Sequence, residues 1–329
     1  MTVDVAMEDA SSKEATPTQP LNFGKRLAHT DKVVRDRGFK TLKKWLHKHP
    51  ELERLDYAKV WRGLYFGFWM SDKRAVQQEL AVNMALLLGD VPREKQMLWL
   101  EVCWEEMQDG WEKLDIHRLS KYMLLVRIIM AEVFKTLRLQ GWPKDRLVEV
   151  STILTKRVPL EAKGRTNVVS TGLLFQLLRL FWDELEPQML QAPTMPESAV
   201  FALLERFFLI AEQSYLESLV KSVHDNIILK APPSYLQAVK ARVLEGAAKA
   251  KLMERNRAAL YKTADQLDTL LFQVSADMEM PDRFGQKALP KPVPMPATSN
   301  KPKRKLAYKK RRKQRAREQR VAKGDVTAA

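Results

Sequence analysis

The chain has one cysteine, twelve glycines and no apolar run near the length of a membrane span. With Cys103 alone, no internal disulfide can form, which fits a reducing compartment, and no cysteine-rich zinc site can be built. The scarcity of glycine, against long runs of Leu, Ala, Lys, Glu, Gln and Arg, favours helix over sheet. A spanning helix needs roughly 20 apolar residues. The best candidate, Val168 to Leu178, stops at Arg179. The N-terminal M-T-V-D-V-A-M-E-D-A is acidic and lacks the basic-then-apolar order of a secretory signal. No Gly-rich phosphate loop, G-x-S-x-G elbow or kinase signature is present.

What is abundant is positive charge, unevenly placed. The chain of 329 residues carries +16. Residues 300–329 hold 13 Lys and Arg against Glu318 and Asp325, and residues 21–50 hold nine against Asp31 and Asp36. Everything else is slightly acidic. Two basic poles on a near-neutral body point to a polyanionic partner touched at particular places.

Hydrophobic spacing is close to 3.6 almost throughout, and no strand pattern stands out. We expect an all-α protein of stacked helix pairs, a HEAT-like solenoid or bundle, with a disordered basic tail. Residues 1–20 read as disordered, 21–230 as a helical-repeat domain and 231–280 as a long helical extension. Residues 281–300 read as a Pro-rich linker and 301–329 as the tail. The densest aromatic stretch, Trp61 to Trp69, puts Trp61, Tyr65, Phe68 and Trp69 on one side of a helix, widened by Leu64 and Phe66. Gly63 and Gly67 leave a strip that another helix can approach closely. Ser71 is expected to cap the next helix, with Asp72 in its first turn, and Pro92 to open another as its first residue. Gly141 is expected to end the helix that starts at Asp115. From Ser234 to about Phe272 the pattern reads as one helix, with nothing to say whether it packs or projects.

Candidates for chemistry are few. Glu101, Glu105, Glu106 and Asp109 share a helix, and a carboxylate cluster could serve acid–base or metal chemistry. With no histidine or second acidic motif beside them, a solvated face is the plainer reading. His47 and His49 diverge, while His29, His117 and His224 are isolated. Cys103, beside Trp104, reads as a buried structural thiol. No cofactor, metal, small-molecule substrate or catalytic residue is expected. Binding is better supported. The tail residues Lys301, Lys303, Arg304, Lys305, Lys309, Lys310, Arg311, Arg312, Lys313, Arg315, Arg317 and Arg320 form a nuclear-targeting or nucleic-acid-binding cluster. Near the other end, Val34, Gly38, Leu42 and Leu46 form an apolar stripe, and Arg37, Lys40, Lys44 and Lys48 a basic one beside it. The basic stripe reads equally as a solvated face or as a contact for RNA or an acidic protein.

The helix carrying those stripes resembles the second helix of a HEAT-type repeat. A family resemblance goes further. The stretch W-R-G-L-Y-F-G-F-W-M-S-D-K-R-A-V-Q-Q-E-L-A, from Trp61 to Ala81, looks like the signature of the eukaryotic ribosomal RNA processing protein 1 family, with Trp61, Gly63, Leu64, Trp69, Ser71 and Asp72 as structural motif positions. Residues Leu21 to Leu46 resemble that family's opening helices. Trp111 to Trp142, with D-I-H-R-L-S-K-Y-M-L-L-V-R, resembles a third segment, in which Ser120 replaces the usual Asp and Tyr122 the usual Phe. The resemblance implies a nucleolar assembly factor of the large ribosomal subunit, a scaffold in pre-60S particles without catalytic residues. Its implied partners are pre-ribosomal RNA and other assembly factors; the tail adds nuclear import receptors, and no membrane is involved. A HEAT-like adaptor of nuclear transport or chromatin is the alternative, and an RNA-processing enzyme using the Glu101–Asp109 acids a further one.

Overall fold

A computed structural model describes residues 26, 27, 29, 31–158, 160 and 171–279. The chain falls into two units, Met1–Asp277 and Met278–Ala329. Apart from the last two residues of the final helix, all the described residues lie in the first unit. The basic tail, the Pro-rich linker and the N-terminal 20 residues expected from the sequence lie outside the described residues.

Among the described residues the chain forms eleven α-helices and no strand. They are α1 (Lys32–Lys48), α2 (Arg54–Trp69), α3 (Arg74–Leu86), α4 (Gln96–Trp111), α5 (Ile116–Leu139), α6 (Lys144–Thr155), α7 (Thr171–Met189), α8 (Glu197–Gln213), α9 (Glu217–Val223), α10 (Leu236–Ala247) and α11 (Glu254–Glu279). Contacts run between alternate helices. In one layer α2 packs on α4, α4 on α6, α6 on α8 and α8 on α10; in the other, α3 packs on α5, α5 on α7 and α7 on α9. Each hairpin thus adds one helix to each layer and buries its neighbour's apolar face, the arrangement of stacked helical repeats. One core runs through the stack, from Leu42 and Phe68 through Tyr122, Phe134 and Phe181 to Phe207 and Val243.

Helix α1 occupies the position of a second helix in the stack. Lys32 pairs with Glu79 of α3, and Lys43 lies 3.1 Å from Asp90 just beyond it, so α1 and α3 run in the same direction. Asp31 caps α1 by accepting from the Val33 amide at 2.9 Å. Asp115 caps α5, accepting from the amides of His117 and Arg118. Gly141 follows α5 with a φ of +82°, the left-handed conformation in which glycine ends a helix.

Several local expectations are corrected. Ser71 caps nothing: α3 starts only at Arg74, and the Ser71 hydroxyl turns back to donate to the Phe68 carbonyl at 2.7 Å, closing α2. Pro92 leads into a 3-10 turn, Arg93–Lys95, before α4 begins at Gln96. Phe66 is exposed instead of widening the buried side of α2. A Cβ at Gly110 of α4 would overlap the Tyr65 hydroxyl, so Gly110 lets α2 and α4 close together.

The pattern from Ser234 to Phe272 is two helices, broken between Ala248 and Met253. The second one packs. Asn256, Leu260, Thr263, Ala264 and Leu267 recur along one buried face of α11. Asn256 donates to the carbonyls of Glu212 and Ser214 at 2.9 and 3.0 Å, fixing α11 to the end of α8.

Candidate nucleic-acid interface

The apolar stripe of α1 buries Gly38, Phe39, Leu42 and Leu46. Helical geometry then turns Arg37, Lys40, Lys44 and Lys48 to the opposite side, and all four are exposed. Among the described residues none of them forms a salt bridge. Other cations of the same helix are paired: Lys32 with Asp36 and Glu79, and Lys43 with Asp90. The face is therefore a row of point charges with no internal compensation. Half-buried Trp45 borders it, its ring 5.4 Å from that of His49.

The acids of α4 are placed differently. Glu101 accepts from Arg54 of α2 at 2.9 Å, and Glu105 pairs with the same guanidinium. Lys156, just past α6, reaches both carboxylates, lying 3.2 Å from Glu105. Arg62 lies 3.0 Å from Glu106, and Arg157 pairs with Asp109. The cluster is thus a ladder of ion pairs across α2, α4 and α6. The Lys156 ammonium, with Arg54, holds the Glu101 carboxyl below the usual carboxylate range against a partial burial that opposes it. A general acid needs the opposite shift. No group of three or more metal-ligating side chains exists among the described residues. Cys103 is buried, and burial pushes its thiol far up, which leaves it inert as a nucleophile.

The three motif segments converge on one junction, at the turn between α2 and α3. Trp61, Leu64 and Ser71 are buried, Trp69 and Gly63 are half-buried, and Asp72 is exposed. Lys121 of α5, only 5% exposed, donates to the carbonyls of Trp69 and Ser71 at 2.7 and 2.8 Å. A helix end leaves such carbonyls without partners and carries partial negative charge, so a buried cation there serves as cap and counter-charge together. Burial pushes the Lys121 ammonium below its ordinary value, with Asp72 and Asp115 acting against that shift. Tyr122, where the related pattern has Phe, donates its hydroxyl to the Tyr65 carbonyl at 2.9 Å. The Arg118 guanidinium lies 4.7 Å over the Trp69 ring. From the first segment, Leu27 borders the same turn. These positions hold the fold together; Lys121 stands within the third segment, but its part as a helix-end cap is not legible in the pattern. No helix of the described residues is long and apolar enough to cross a membrane.

Residues 18–317 match the family model described as Nop52, nucleolar protein. The chain is 25% identical over 264 residues to ribosomal RNA processing protein 1 homolog B of Homo sapiens, an alignment covering 76% of this chain and 34% of that protein. To homolog A of Homo sapiens it is 26% identical over 227 residues, 64% of this chain and 47% of the relative. To the Drosophila melanogaster homolog it is 25% identical over 189 residues, 54% and 27% of the two chains. The chain therefore spans less than half the length of these relatives.

Proposed function

The chain belongs to the Nop52 family of nucleolar proteins, and on that basis we propose that it is a non-catalytic assembly factor of the large ribosomal subunit. In this reading the helical stack is a scaffold in nucleolar precursor particles, bound to pre-ribosomal RNA and to other assembly factors, and ribosomal RNA processing depends on its presence. The names of its relatives support the RNA, since they are ribosomal RNA processing proteins. The observation that carries the reading is the uncompensated row Arg37, Lys40, Lys44 and Lys48. A phosphate backbone supplies the anions this face lacks, without sequence selectivity. The acids that an enzyme would use are meanwhile engaged in holding α2, α4 and α6 together. The tail from Lys301 to Arg320 adds polyanion affinity and nuclear import. Depleting the protein from cells is the direct test. Precursors of the large-subunit RNA accumulate if the reading is right, and unchanged precursor levels overturn it.

A further inference from the structure

Helix α2 buries one side in the core, yet its other side ends in two large apolar residues. Phe66 and Met70, four residues apart, are 58% and 66% exposed. Burying such side chains is favourable, so leaving two together in water forgoes a gain. Beside them, at the turn between α2 and α3, a cavity of about 180 Å³ opens. Gly67, Met70, Val76 and Leu80 form its apolar wall, so Met70 belongs to both the cavity and the exposed edge. A dry apolar cavity of roughly 150 Å³ accommodates a benzene ring. This one therefore has room for a single Leu, Ile or Phe side chain.

The surroundings are cationic. Arg35 and Lys73 line the cavity with Asp72, and Arg74 follows at the start of α3. Lys73 and Arg74 are exposed and in no salt bridge among the described residues. The floor is rigid, because the Ser71 carbonyl accepts from Lys121 at 2.8 Å and from Gln77 at 2.9 Å. A preformed site of this kind loses little entropy on binding.

We propose that the cavity and the Phe66–Met70 edge are a docking site for an acidic segment of a partner protein. The segment inserts one large apolar side chain beside Met70 and sets its carboxylates against Lys73 and Arg74. The apolar wall selects protein over nucleic acid, whose phosphates gain nothing from Met70 or Leu80. The site is separate from the basic face of α1 and does not rest on the RNA reading.

Fluorescence anisotropy on the full chain tests it with a labelled 16-residue helical peptide, carrying Leu at i, i+3, i+4 and i+7 and Glu elsewhere, and with its Lys-for-Glu counterpart. The Glu peptide is expected to bind at least about tenfold tighter than the Lys peptide, with Met70→Ser and Lys73→Glu each weakening it about tenfold. Substituting Arg37 and Lys40 by Glu should leave it unchanged. Both test positions are exposed, so circular dichroism should match the parent chain. Equal binding of the two peptides, no loss in Met70→Ser, or displacement by oligouridine would each overturn the proposal.

Discussion

Helices α1 and α4 each carry four like charges outside their apolar stripes. On α4, Glu101, Glu105, Glu106 and Asp109 all meet cations from the helices on either side, and their charge is consumed in holding the layer together. On α1, Arg37, Lys40, Lys44 and Lys48 meet no carboxylate in a salt bridge among the described residues. Position in the stack explains the difference. Helix α4 has a neighbour on both sides in its layer, α2 and α6. Helix α1 is the first described helix in its layer, and its outward side faces solvent. A charged stripe inside a stack can be neutralised by the next repeat; one at its end is left to solvent ions or to a partner.

The sharpest way to break this comparison is to remove the open charge. Replacing Arg37, Lys40, Lys44 and Lys48 by Ala should lower affinity for single-stranded RNA about 10²- to 10³-fold near 0.1 M salt. Four phosphate contacts at roughly −0.7 each give a salt slope near −3, and the variant should lose that slope. Thermal stability should barely move, since all four residues are exposed. Filter binding across a salt series reads the slope, and calorimetry reads the stability. If affinity holds while stability falls, the row is structural and the contrast with α4 disappears.

A buried cation gives the next largest effect, in the opposite observable. Lys121→Met keeps most of the side-chain volume but leaves the carbonyls of Trp69 and Ser71 without their donor. Buried acceptors left unsatisfied cost about 1–3 kcal/mol, so the variant should lose about 2–3 kcal/mol in urea unfolding. Its RNA affinity should stay at the parent value. Loss of RNA binding without loss of stability would place Lys121 among the contact residues instead.

Lys121 also marks where the sequence stops being legible. The helices follow from the 3.6-residue spacing of apolar side chains, because burial sets that spacing, and the place of α1 from its resemblance to the second helix of a HEAT-type repeat. Partners some 50 residues away leave no such trace, and a lysine beside Tyr122 and Leu125 looks like any other helix lysine. The close approach of Tyr65 to Gly110 is equally hidden, because the Asp109-Gly110 setting reads as the end of a helix. The break between α10 and α11 is hidden for a related reason. Residues 248–253, A-K-A-K-L-M, are good helix formers with no glycine or proline. The break is held by Lys249 on buried Glu212 of α8 at 2.8 Å and by Arg257 of α11 on the Lys249 carbonyl at 3.1 Å. The basic face of α1 is fully legible as a pattern, but whether it is open or neutralised depends on which helices become its neighbours.

The smallest effect belongs to the ladder itself. Arg54 and Lys156 are half exposed, so solvent screens their pairs with Glu101 and Glu105, and each pair contributes about 1 kcal/mol or less. Glu105→Gln should therefore lower stability by no more than about 1 kcal/mol, less so in high salt, and leave RNA affinity unchanged. The pH dependence has a definite sign. Because the folded carboxyl of Glu101 titrates below its ordinary value of 4.5, its contribution is present above that value and fades as pH falls through the lower, folded one. Thermal melts of the parent and of Glu101→Gln should converge as pH drops below about 4.5. Two curves that stay parallel into that range would mean that Glu101 acts through packing alone, and the carboxylates of α4 would be no more neutralised than the cations of α1.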